Sequence, residues 1–266
     1  MATGEDLAAA RTTRSMPLAF GAGSALGVLG GTIGLGGAEF RLPLLIGLFG
    51  FAALPAVILN KAMSLVVVLV ALPARRAAVP AGEVAGHWPV AANLLAGSLL
   101  GAWAVRMRSS TLHEVLAALM VLMAAVLLVT HGTALGTLAF PSWAQVPSGV
   151  VAGFGIGVVA AIMGVAGGEP LIPTIVLLFA VDVRTAGSLS LLVSLPTMLV
   201  AFARYSRDGG FAVLGASLRF TAVMAAGSAA GAVLGGPSPG MFPASVLIPV
   251  LAVVLLVSAV RLARHG

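Results

Sequence analysis

Two stretches of this sequence set glycines, a glutamate and a proline in the same order. They read Gly34-Leu35-Gly36-Gly37-Ala38-Glu39-Phe40-Arg41-Leu42-Pro43 and Gly164-Val165-Ala166-Gly167-Gly168-Glu169-Pro170-Leu171-Ile172-Pro173. Clustered glycines followed by proline end one helix and start another. A helix starting near Pro43 or Pro173 points its unpaired N–H groups back at the break. Such groups, aided by the helix dipole, bind anions. Gly34, Gly36, Gly37, Gly164, Gly167 and Gly168 are therefore expected to offer backbone donors to an oxyanion. Glu39 and Glu169 bring a second chemistry, because an apolar setting raises a carboxyl pKa and lets the group carry a proton. The plainer reading of each Glu is a loop residue capping the next helix. Both readings stay open here.

Positive and hydroxyl groups lie nearby. Arg41 has no counterpart in the second stretch, where Leu171 stands. Asn60, Lys61 and Ser64 form a further polar group, related after a four-residue offset to Ala186-Gly187-Ser188-Leu189-Ser190. Ser64, Ser188 and Ser190 are candidate donors to an oxyanion; the alternative is that these hydroxyls bond their own helix backbone. If Arg41, Lys61, Glu39 and Glu169 line one cavity, that cavity is neutral when empty. One proton would then travel with one monovalent anion. The alternative for Lys61 is snorkelling to the cytoplasmic face. Asp182 and Arg184 read as a loop pair or a helix start, and Asn93 as an interhelical hydrogen bond. His87, His113, His131 and His265 show no ligand spacing and the chain has no cysteine, so no metal or cofactor is expected. No histidine is placed as a base for Ser188 or Ser190, and the glycine runs lack the lysine of a phosphate-binding loop. The reading is not an enzyme.

The elements that hold these groups must be membrane helices. Of 266 residues, 60% are apolar and 8% charged, against about 25% charged in a soluble domain. That excludes a water-soluble globule. The apolar runs are continuous rather than alternating, which selects helices over a barrel. A net charge of +6 reads as membrane orientation rather than nucleic-acid binding. A shift of 130 residues carries Pro17 onto Pro147, Gly23 onto Gly153, Gly27 onto Gly157, Gly37 onto Gly167, Glu39 onto Glu169 and Pro43 onto Pro173. The chain is therefore expected to be two homologous repeats of about five hydrophobic segments, giving roughly eight to ten crossings at about 20 residues each. The first repeat divides at 17–35, 42–58, 62–74, 87–105 and 112–130. The second divides at 147–164, 171–181, 186–203, 213–235 and 243–262. In each, the second segment is short enough for a half-helix. Residues 1–16 read as a cytoplasmic N-terminal tail, 17–130 and 147–262 as the repeats, 131–146 as the loop joining them and 263–266 as a C-terminal tail.

An odd number of crossings per half inverts one repeat against the other, the plan of many secondary transporters. Counting positive residues mildly favours that reading, with Lys61 on an inner loop and Arg41, Arg75, Arg76 and Arg184 on outer loops. Gly97-Ser98-Leu99-Leu100-Gly101 and Gly227-Ser228-Ala229-Ala230-Gly231 are small-xxx-small patterns that let helices approach closely.

On the two glycine turns, with Asn60 to Ser64 and Ala186 to Ser190, the chain resembles the sulfite exporter TauE/SafE family of membrane permeases from about residue 17 to 262. Glu39 after Gly36-Gly37-Ala38, and Glu169 after Gly167-Gly168, depart from the usual triple glycine. The resemblance implies a multi-pass protein of the bacterial inner membrane that moves sulfite, an organosulfonate or another small anion. Protons are an expected second partner, through Glu39 and Glu169; nucleic acid is not one. Alternatives are a passive anion channel, a carrier of a cationic or neutral solute with glutamates as ligands, and a subunit that anchors a partner. Oligomeric state is not legible.

Overall fold

The computed structural model describes residues 15–33, 37–74, 79–104, 114–119, 121–122, 125, 141–165, 167–205, 211–235, 253, 256 and 260. Among these the regular structure is all helical, with no strand. The helices are α1 (Met16–Ile33), α2 (Ala38–Gly47), α3 (Ala53–Ala74), α4 (Ala81–Gly86), α5 (Trp88–Ala104), α6 (Ser142–Met163), α7 (Gly168–Phe179), α8 (Val183–Tyr205), α9 (Phe211–Ala216) and α10 (Leu218–Gly235). Among the described residues, α3, α6, α8 and α10 are long and apolar enough to cross a membrane. At 1.5 Å per residue α2 and α7 reach only about 15 and 18 Å, far short of a 30 Å hydrocarbon core. Both are short helices that follow a left-handed glycine, and Pro170–Phe179 of α7 is apolar. The expected fifth segments, 112–130 and 243–262, fall largely outside the described residues.

Some boundaries differ from the sequence reading. The expected segment 42–58 is divided at Gly50, whose φ of 64° takes the chain out of α2, and α3 absorbs 53–58. The short helices begin at Ala38 and Gly168, so Pro43 and Pro173 lie inside them rather than at their starts. Each is the sixth residue of its helix, past the four opening N–H groups that have no helical acceptor, so each forgoes one i→i−4 hydrogen bond. Helix α6 begins at Ser142 and includes Trp143 and Pro147; residues 131–140 of the expected joining loop lie outside the described residues.

Glycine contacts dominate the packing. Helix α1 lies against α10, and α5 against α6. A methyl group at Gly23 or Gly27 would strike the carbonyl of Met224 or Ser228, and one at Gly227 or Gly231 that of Phe20 or Ser24. Likewise Gly97 and Gly101 meet the backbone of Val150 and Phe154, and Gly153 and Gly157 meet that of Leu94 and Ser98. Both small-xxx-small patterns thus bring backbones into direct contact, which is how helices associate where lipid is as apolar as leucine. Helices α3 and α8 pack together, with α10 on α3 and α5 on α8. The main core gathers Phe40, Leu45, Phe49, Val57, Met63, Met163 and Phe220. Within it Phe49 meets the Phe220 ring edge-on at 4.9 Å. Trp88, Trp103 and Trp143 are exposed, as indole rings are at a membrane interface.

Candidate functional site

The two breaks are built alike. Gly37 precedes α2 with φ 68°, and Gly167 precedes α7 with φ 70°. That left-handed conformation costs other residues about 1–2 kcal/mol. Gly37 is also pinned by space, since a methyl group there would strike the Leu26 carbonyl of α1. Gly164 ends α6 with φ 67°, and its α-carbon faces the Val57 carbonyl of α3. Gly168 opens α7 and is buried. Glu39 and Glu169 are each the second residue of their short helix, within its first turn rather than in a loop. Gly34 and Gly36 lie outside the described residues.

Helix α3 collects the polar groups. Asn60, Lys61 and Ser64 are all buried in it. Asn60 and Ser64 stand one turn apart and face α2. Asn60 Nδ2 donates to the Ala38 carbonyl at 3.0 Å. Arg41 Nη1 donates to Ser64 Oγ at 3.1 Å. These two bonds run side by side and fasten the first turn of α2 to the middle of α3. Lys61, turned about 100° from Asn60 around the helix, reaches the other neighbour. Its Nζ donates to the Ala161 carbonyl at 2.9 Å. Ala161 belongs to the last turn of α6, where carbonyls lack helical donors and a cation is favoured by the dipole.

This corrects the orientation count made on the sequence. Arg41 is 0% exposed and Lys61 1%; neither is a loop charge. Nor does Lys61 snorkel, because a fixed carbonyl within reach replaces the water it would seek. The two cations share helix α3 as anchor and serve different neighbours: Arg41 joins α2 to α3, and Lys61 joins α3 to α6.

The second set is less polar. Ser190 Oγ donates to the Gly187 carbonyl at 2.9 Å, and Ser188 Oγ lies 3.5 Å from the Arg184 carbonyl. Both hydroxyls therefore bond their own helix, the alternative weighed above. Helices α3 and α8 begin 130 residues apart, at Ala53 and Val183. Without any offset, Asn60, Lys61 and Ser64 fall opposite Ser190, Leu191 and Ser194. Ser194 was missed in the sequence because the four-residue offset drew attention to Ser188. It is buried, and its Oγ has no hydrogen-bond partner. Opposite Arg41 stands buried Leu171. Among the described side chains, the buried cation and the hydrogen bonds to a neighbouring helix are on the α2 side of this pair.

Two weaker expectations resolve clearly. Asn93 Nδ2 donates to the Val146 carbonyl at 3.1 Å, tying α5 to α6. Asp182 starts α8: its Oδ1 accepts from the N–H groups of Arg184 at 2.9 Å and Thr185 at 3.1 Å. Bonds from Thr185 first, then the backbone donors, hold its carboxyl below the usual value. Among the described residues no cluster of three or more His, Asp or Glu could hold a metal ion.

No curated protein and no solved structure matches this chain. The family model described as sulfite exporter TauE/SafE matches residues 18–262. With that match over nearly the whole length, and apolar helices broken at paired glycines beneath it, this multi-pass membrane protein belongs to the sulfite exporter TauE/SafE family of permeases.

Proposed function

We propose that the chain is a secondary transporter of a small anion, with sulfite or an organosulfonate the best-matched class, in a bacterial inner membrane. The observation that carries this is Arg41, wholly buried at the first turn of a broken helix. Removing a cation from water costs several kcal/mol, and even a well-satisfied buried ion is often no more stable than an apolar residue of its size. Stability therefore gives little reason to keep it. Attraction for an anion does. The first turn of α2 adds N–H groups and a positive dipole end at the same place. On α7 the third position is Pro170, which has no N–H, and Leu171 replaces the arginine. The anion is accordingly assigned to the α2 side, with Gly37, Arg41, Asn60 and Ser64 around it. Lys61 holds the end of α6.

The exchanged pairings, α1 on α10 and α6 on α5, support two repeats related by a pseudo-two-fold axis, with substrate near the repeat interface. Glu39 and Glu169 are proposed proton carriers, each beginning a short helix. The test is flux into proteoliposomes holding wild type, Arg41→Lys or Arg41→Gln. Saturable sulfite or sulfonate uptake, retained in part by Lys and lost with Gln, supports the reading. Equal flux in all three overturns the assignment of Arg41.

A further inference from the structure

Asn60 is 0% exposed, and one end of its amide is committed. A backbone carbonyl only accepts, so the group facing Ala38 must be the Nδ2 donor, which fixes the amide against flipping. The Oδ1 is then left buried with no hydrogen-bond partner. It lies on the same amide that touches the first turn of α2, where the proposed function puts the anion. Donors lie on the same side of α3: the Arg41 guanidinium, which reaches Ser64 one turn along the helix, and the opening N–H groups of α2, whose first turn Asn60 touches. Donors alone would suit any anion. A fixed acceptor among them suits only an anion that also bears a hydrogen to give.

We infer that the site reads this hydrogen: it takes a monoanion carrying its own donor, a protonated oxyanion or a hydroxy- or ammonio-sulfonate, in preference to an anion of equal charge without one. The inference rests on the proposed anion site and narrows its substrate class. A site built around a hydrogen-bonding group rejects the analogue lacking it, since the buried group is then left unpaired. Specificity would come from Oδ1 and affinity from Arg41.

The experiment measures displacement of radiolabelled sulfite from the full chain in nanodiscs by 2-hydroxyethanesulfonate and by propane-1-sulfonate. These match in charge and nearly in size, and differ by hydroxyl against methyl. The expected result is a preference of about tenfold or more for the hydroxy compound. Asn60→Ser, which installs the residue found at position 190, is expected to bring the ratio near one. Equal displacement by wild type overturns this inference and leaves the anion site standing. Absence of sulfite binding to folded protein overturns both. The wild-type ratio is decisive by itself should Asn60→Ser fail to fold.

Discussion

Gly37→Ala and Gly50→Ala separate backbone conformation from close packing. Both glycines hold left-handed conformations, with φ of 68° and 64°. Any L-residue there meets similar strain, about 1–2 kcal/mol. They differ in space. A methyl group at Gly50 meets nothing within 4 Å, whereas one at Gly37 runs into the Leu26 carbonyl of α1. That carbonyl belongs to a helix already in backbone contact with α10, so it has little room to yield. Overpacking of this kind costs about 1–3 kcal/mol more. Gly50→Ala is thus expected to lose about 1–2 kcal/mol in total, and Gly37→Ala about 2–5 kcal/mol. Reversible unfolding in mixed detergent–SDS micelles gives the two losses on one scale. Equal losses would refute the claim that the break before α2 is clamped against α1.

Other pairs isolate single interactions. Ser98 and Ser228 are equally buried on α5 and α10, but Ser98 Oγ lies 2.7 Å from Thr197 Oγ1 while Ser228 Oγ has no partner. The residue opposite Thr197 is Val67, which cannot bond. Ser98→Ala should therefore cost about 1 kcal/mol, and Ser228→Ala nothing or a small gain; equal losses in the same unfolding assay count against this. Asp182→Ala removes the cap of α8 and should cost about 1 kcal/mol at neutral pH, most of which Asp182→Asn restores. Because folding lowers the Asp182 pKa below 3.8, its contribution is present above that value and fades as pH falls through the folded pKa. The gap between wild type and Asp182→Ala should then shrink in acid, and a gap that widens would contradict the assignment. Glu39→Gln and Glu169→Gln should each abolish pH-dependent flux while the protein still inserts; unchanged pH dependence in both removes the coupling role.

The helical membrane class and the family were legible because they rest on composition and on motifs that survive any detail of packing. The turns at Gly37 and Gly167 were legible for a physical reason too, since only glycine adopts that backbone freely. Asp182 and Asn93 announced themselves as polar residues at a helix edge and in an apolar run. Arg41 and Lys61 did not. In a soluble helix the apolar stripe says which face is inside, but α3 has apolar residues on its exposed side too, Val66 and Leu69 among them, so its sequence does not say that Asn60 and Ser64 face α2 and Lys61 faces α6. Charge counting also assumed that cations sit in loops, which fails where a carbonyl or hydroxyl is fixed within reach. Pro43 misled as a boundary because proline marks a helix start only loosely. Ser194 was hidden by an alignment that favoured the denser serines upstream.

Flux in proteoliposomes tests the central claim most directly. Sulfite, thiosulfate, taurine, sulfoacetate, a carboxylate and chloride are offered in turn under an imposed proton gradient, with internal pH recorded. Saturable movement of a sulfur anion, accompanied by protons and lost in Arg41→Gln, is the predicted result. Verified folded protein that moves none of these anions would contradict the account.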